Sequence, residues 1–292
     1  MTFLILMFFG TFAIGFSDVL RRKYLLTGIP ENVFLTLSLL GTASILCVVI
    51  FITGIPDIEK GFLTAFVSTV FLNLISQYLI IKAFKLSEVS LIAPLRLIIP
   101  PLVIASGFLV LKEVPSLLGV VGIALTVIGF WIFFLIEYNT STGEIMRRIF
   151  LDKGARYGLC SSILFAASFP FDKKIVVTSS ALFSVAATLS ALGLIFLLLF
   201  TLFDRSFIKN CVRTLKTFPM PILYISAWSA FGTTLTFQAL NYSLAAYASS
   251  LKRLQVLWTI ILAGRFLKEK NAKRRFFASI IILSGIMLSV FA

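Results

Sequence analysis

Apolar residues in this chain of 292 residues come in long continuous blocks separated by short polar punctuation. Ten blocks are read at residues 2–20, 32–53, 61–82, 89–110, 116–137, 156–172, 180–203, 219–241, 245–265 and 273–292. Most are close to the ~20 residues that carry a helix across the ~30 Å hydrocarbon core of a bilayer. A membrane β-barrel would instead show short segments of alternating character. The pattern predicts an all-α membrane protein with ten transmembrane helices. The two largest loops, EYNTSTGEIMRRIFLDKGAR and DRSFIKNCVRTLKTFP, are too short for a folded domain, so function must reside in the membrane or at its surface.

The pattern also repeats. Displacing the chain against itself by 156 residues pairs Leu111-Lys112-Glu113 with Leu267-Lys268-Glu269, Ala83 with Ala239, Leu95 with Leu251, Arg96 with Lys252 and Gly129 with Gly285. A slightly smaller displacement pairs Ser17 with Ser168 and Arg22-Lys23 with Lys173-Lys174. The implied organisation is a first five-helix repeat over 1–138, a connecting loop over 139–155 and a second five-helix repeat over 156–292. Five is odd, so the halves must enter the membrane in opposite senses. The expected fold class is therefore ten transmembrane helices as two inverted five-helix repeats. Such repeats place a substrate site near the midplane where the halves meet and permit alternating access.

Composition agrees with the pattern. The chain is 59% hydrophobic and 13% charged, with a mean hydropathy of +1.05, against about 25% charged residues in soluble domains. The formal charge of +14 does not imply nucleic acid as a partner, because the cations lie in short loops and not in a basic domain. About 19 of the 26 Lys and Arg follow odd-numbered spans, whereas Lys60, Lys112, Lys173 and Lys174 follow even-numbered ones. The positive-inside rule then puts the odd-numbered loops in the cytoplasm and both termini outside. The first run, MTFLILMFFGTFAIGF, lacks a basic leader and a small-residue cleavage site and reads as a first span.

Histidine is absent, which removes the commonest general base and the commonest metal ligand. The acids are sparse and peripheral, so no enzyme active site, cofactor or metal site is expected. Cys47, Cys160 and Cys211 lack disulfide or metal spacing, and at least the first two read as small buried fillers.

Three cations fall inside the spans instead of between them. Arg96 lies seven residues into the fourth block, and Lys252 and Arg253 lie about as far into the ninth, YASSLKRLQVLWTIILAGRFLKE. That depth is roughly 10 Å. Each costs roughly 2.5–3.5 kcal/mol at a bilayer centre, so all three need water, a counter-charge or a ligand. Snorkelling to the headgroups is the plain alternative. No carboxylate is predicted at their depth. Asp18 and Asp172 read as helix-end partners of Arg21-Arg22-Lys23 and Lys173-Lys174, or equally as proton-coupling groups. A planar guanidinium with further cations suits phosphate or carboxylate. Asn73, Gln77 and Tyr78 on the third block, Thr234, Gln238 and Tyr242 on the eighth, and Ser249 before Arg253 could complete the site, with interhelical glue as the competing role. Pro94, Pro100 and Pro101 predict a kink in the fourth block.

The ten spans, the five-plus-five repeat and the Lys-Glu helix endings resemble the drug/metabolite transporter superfamily in its EamA-like ten-helix form. The stretches VSLIAPLRLIIPPLVIASGFLVLKE and SSLKRLQVLWTIILAGRFLKE are similar to the fourth and ninth helices of triose-phosphate and related organic-phosphate translocators. That likeness implies that Arg96, Lys252 and Arg253 grip a substrate phosphate, with Arg96 standing where those translocators usually carry Lys. It also implies cytoplasmic termini, opposite to the loop charges. The expected function is secondary-active transport of a small anionic metabolite, a phosphorylated compound first, by alternating access and exchange. Export of amino acids or other carboxylates is the alternative. The expected setting is the inner cell membrane, with the anion and the lipid bilayer as partners; nothing in the pattern specifies an oligomer.

Overall fold

The computed structural model describes residues 1–25, 27–87, 92, 95–138, 141–267, 281–282 and 284–288. Pro94, the Lys268-Glu269 pair, the KEKNAKRR loop and most of the tenth expected span lie outside them. The described residues form α1 (Thr2–Leu25), α2 (Glu31–Thr53), α3 (Phe62–Leu86), a 3₁₀ turn (Arg96–Ile98), α4 (Ile99–Leu111), α5 (Leu117–Tyr138), α6 (Thr142–Leu151) and α7 (Lys153–Val177). There follow α8 (Ala181–Phe203), α9 (Phe207–Thr217), α10 (Pro219–Ala239), a second 3₁₀ turn (Leu240–Tyr242), α11 (Ala245–Leu251) and α12 (Leu254–Leu267). The chain is helical again at 281–282 and 284–288, and no strand occurs among the described residues.

Among the described residues, five helices are long and apolar enough to cross a membrane: Thr2–Leu25, Glu31–Thr53, Phe62–Ala83, Leu117–Ile136 and Ala181–Phe203. The ninth expected span is interrupted at Lys252 and Arg253, and the described part of the fourth includes the shorter apolar helix Arg96–Leu111. Both large loops contain helices, α6 and α9, where the hydropathy pattern showed only polar linkers.

The described residues divide into two compact units. One takes Met1–Val70, Asp172–Tyr242 and Lys252–Lys268; the other takes Phe71–Phe171, Ser243–Leu251 and Glu269–Ala292. Each unit draws on both sequence halves. In the first, α1 packs along α10 and α12, and α2 packs on α8 and α10. Close approach there needs glycine: a Cβ on Gly232 would lie 2.7 Å from the Gly10 carbonyl oxygen. Small residues let membrane helices gain van der Waals contact where no hydrophobic force separates lipid from protein. In the second unit, α11 packs against α4 and α5.

Local signals set several helix ends. Ser180 caps α8, its hydroxyl oxygen accepting the Phe183 N–H at 3.2 Å. Asp152 caps α7 by accepting the Ala155 N–H at 2.8 Å, and Ser87 also donates to its carboxylate. Pro100 and Pro101 occupy the first turn of α4, where a missing N–H costs nothing, so they open that helix instead of kinking it. α4 closes on Lys112 at φ 59°, whose N–H reaches the Phe108 carbonyl at 3.0 Å. That turn presents Glu113, and its Oε2 accepts the N–H of Ala245, the first residue of α11, at 2.7 Å. The cysteine reading is corrected: Cys47 and Cys160 are exposed on helix surfaces, and only Cys211 is buried. Burial pushes the Cys211 thiol pKa up from its ordinary value.

A cap of the kind Glu113 forms is worth ~1 kcal/mol. Glu113→Ala is therefore expected to lower stability by about that amount while Glu113→Gln retains most of it, measured by thermal unfolding of the detergent-solubilised protein.

Candidate functional site

The two sets of cations that the sequence reading places within spans differ in their local backbone. In the ninth span α11 ends at Leu251, Lys252 and Arg253 form a turn, and α12 begins at Leu254. The turn is closed by short-range bonds, Gln255 N–H to the Lys252 carbonyl at 3.2 Å and Val256 N–H to the Arg253 carbonyl at 2.9 Å. In the fourth span Arg96 opens the 3₁₀ turn that precedes α4. Arg96 and Lys252 are the positions paired by the 156-residue repeat. Broken helices at membrane depth expose helix ends and backbone groups that bind ions in many transporters.

In the first unit the pair is not surrounded by hydrocarbon alone. Arg253 is only 7% exposed, and the Lys252 Nζ lies 5.7 Å from the ring centroid of Phe237 on α10. Asp172 on α7 is 4% exposed, accepts a hydrogen bond from the Thr69 hydroxyl of α3, and lies within electrostatic reach of Lys252. The expectation that no carboxylate shares the depth of the cations is thereby corrected. Asp172 lies five residues before the end of α7, with its side chain on the buried face. The signal was present in the sequence: Asp172, Ile175 and Val176 fall at helical spacing on one buried face, while Lys173 and Lys174 are half-buried. Asp18 keeps the simpler role, pairing with Arg21 at 3.9 Å and accepting from Gln255 Nε2 of α12 at 2.6 Å.

Arg96 belongs to the second unit. It is half-buried, with its guanidinium carbon 5.8 Å from the ring centroid of Phe165 on α7. Nearby polar residues on α3 tie that helix to α7. Ser76 and Ser161 each donate to the other's carbonyl, at 2.9 and 2.8 Å, and Ser168 donates to Asn73 Oδ1 at 3.4 Å. Asn73 is thus engaged in interhelical glue, as its competing role anticipated. Gln77 is half-buried on the same helix.

Two further candidate residues lie at the surface. Tyr78 is 45% exposed and carries Lys82 over its ring at 4.6 Å, because one residue beyond Gln77 turns it well around the helix. Tyr242 is 55% exposed, because α10 ends at Ala239 and a 3₁₀ turn breaks the line through Thr234 and Gln238. Thr234 has a buried hydroxyl oxygen with no hydrogen-bond partner, and Gln238 is half-buried. Ser249 is fully buried and donates to the Ala246 carbonyl of its own helix at 2.8 Å. A groove of about 320 Å³ in the first unit, lined by Phe16, Leu20, Tyr24, Pro221, Tyr224 and Trp228, is largely aromatic and is not lined by the cation pair.

Five membrane-length helices among the described residues, with a shorter pair broken at Lys252 and Arg253, are the architecture of an integral multi-pass membrane protein. The chain belongs to the EamA-like transporter family, which matches it twice, over residues 1–135 and 152–291. Two copies in one chain are the arrangement of the drug/metabolite transporter superfamily. The family points to a transporter and not to an enzyme. A solved structure described only as a crystal structure of a protein shares the fold, with a TM-score of 0.66 at 12% identity over 98% of this chain and 97% of that one. No curated protein matches the sequence.

Loss of the Thr69 donor leaves a buried carboxylate short of a partner, at a cost on the order of 1–3 kcal/mol. Thr69→Ala is expected to destabilise the protein to that extent and Thr69→Ser to remain near wild type, read by thermal unfolding in detergent.

Proposed function

We propose that this protein is a secondary-active carrier of a small anionic metabolite, a phosphorylated compound in the first instance, working by alternating access and exchange in the inner cell membrane. The observation that carries the reading is the Lys252–Arg253 pair, held in the interior at a helix break with Arg253 almost fully buried. A buried guanidinium presents a planar fork that matches two oxygens of a phosphate, and Lys252 adds a point charge beside it. The buried, unbonded Thr234 hydroxyl on α10 offers a further polar group in the same unit. Arg96 is a second candidate anion ligand within its own unit.

Asp172 supplies the exchange logic. Its carboxylate lies within electrostatic reach of the Lys252 charge. An arriving anion competes for Lys252, and its departure restores the internal pairing. A carrier that must be neutralised by one anion or another before it reorients gives exchange, since crossing with an uncompensated interior cation is costly. The alternative substrate class, amino acids or other carboxylates, has one observation in its favour. The group already placed opposite Lys252 is itself a carboxylate.

Removing one charge-assisted hydrogen bond costs on the order of 1.5–3 kcal/mol, or roughly ten- to a hundredfold in affinity. Arg253→Ala should therefore weaken thermal-shift stabilisation by phosphate and sugar phosphates by about that factor. A stabilisation profile identical to wild type across phosphate, sugar phosphates, nucleotides and amino acids would remove Arg253 from the site. Displacement of a bound probe by amino acids and not by phosphorylated compounds would replace the phosphate reading with the carboxylate one. In proteoliposomes, efflux of radiolabelled phosphate should require external counter-substrate; equal efflux without it would refute exchange.

A further inference from the structure

Helix α9 is divided lengthwise into three stripes. Phe207, Cys211 and Thr214 are buried, the first two in a cluster with Ile29, Val33, Phe34, Leu37, Ile222 and Ile225. Ile208, Val212 and Leu215, each one position further on, are 50%, 45% and 43% exposed. Lys209, Arg213 and Lys216, one position further again, are exposed, and α9 contains no acid. Residues at i, i+4 and i+7 share one face of a helix, so the stripes are continuous. The apolar arc is therefore twice as wide as the protein itself covers. Its uncovered half borders directly on the cations.

The position of α9 decides what covers that half. Three residues separate it from Phe203, the end of the membrane-length helix α8, and only Phe218 separates it from α10. Leu202 and Phe203, just before it, are 79% and 87% exposed, and Met220, just after it, is 61% exposed. A helix tethered this closely between two helix ends, and packed on α2, lies at the level where those helices leave the membrane. An exposed apolar stripe beside a cationic one at that level has the pattern of a helix lying in the headgroup boundary. Asp204, the nearest acid, is engaged locally, accepting from the Ser206 N–H at 2.8 Å and the Ser206 hydroxyl at 2.7 Å.

We propose that α9 is a binding site for anionic glycerophospholipid, with Ile208, Val212 and Leu215 seated among the acyl chains and Lys209, Arg213 and Lys216 on the headgroup phosphates. The site is independent of the transport site and of the substrate assigned to it. It places the α9 side of the protein against the leaflet richer in anionic lipid, the side on which the loop cations already place it.

The test uses the full chain in a neutral detergent, titrated with phosphatidylglycerol or phosphatidylcholine. Wild type should bind phosphatidylglycerol in preference, and Lys209→Gln/Arg213→Gln/Lys216→Gln should lose that preference by roughly a hundredfold for three surface cations. Raising the salt on the wild type should weaken phosphatidylglycerol binding and leave phosphatidylcholine binding unchanged, a readout that does not depend on the variant folding. Equal affinity for the two lipids, an unchanged preference in the triple variant, or salt-insensitive binding would overturn the proposal. Competition by glycerol phosphate as effective as that by the lipid would also overturn it, since the site would then be one for a soluble anion.

Discussion

A charge inside a bilayer has nowhere to hide its field, and the arrangement around Lys252 and Arg253 is organised by that constraint. Water is excluded from the hydrocarbon region, so the chain must supply whatever solvation a buried ammonium or guanidinium receives. Here it supplies a helix break, a buried carboxylate and an aromatic face. The break frees backbone groups from the helical ladder, Asp172 offers opposite charge, and Phe237 lies beneath the ammonium. Thr69 then holds the carboxylate in place. Remove the cations and none of these features has a reason to be in an otherwise apolar interior.

The same constraint explains why the polar residues divide into two populations. Those with short side chains, such as Ser76, Ser161 and Ser249, satisfy themselves on nearby carbonyls and bind helices together or to themselves. Those with ionisable ends, such as Lys252 and Asp172, draw on other helices of the same unit for opposite charge, a hydroxyl or an aromatic face. Membrane interiors penalise an unpaired polar atom more than they reward an extra pair. A hydroxyl is therefore weak evidence for a ligand site, and a buried guanidinium is much stronger evidence.

What could be read from the sequence follows from the strength of each signal. Long apolar blocks announced a helical membrane protein, and the pairing of Arg96 with Lys252 singled out a position, Lys252, that turns out to lie at a helix interruption. Hydropathy could not show the interruption itself, because an apolar run looks the same whether its backbone is continuous or broken. Nor could it show α9, whose three-stripe pattern averages to a polar loop. Asp172 was misplaced for a related reason. Two lysines beside it suggested a helix end, whereas the helix continues and rotates those lysines off the buried face. Tyr78 and Tyr242 show the limit of face arguments: one residue of offset, or one helix ending early, is enough to bring a side chain to the surface.

The pairing of α1 with α10 and α12, and of α2 with α8, bears on how the chain is made. Residues that leave the ribosome first have partners that do not exist until most of the polypeptide has been synthesised. The Gly10–Gly232 approach and the Glu113–Ala245 bond join segments synthesised far apart in time. The early helices must therefore wait in lipid, bare on their packing sides, until the segments they pair with have been synthesised.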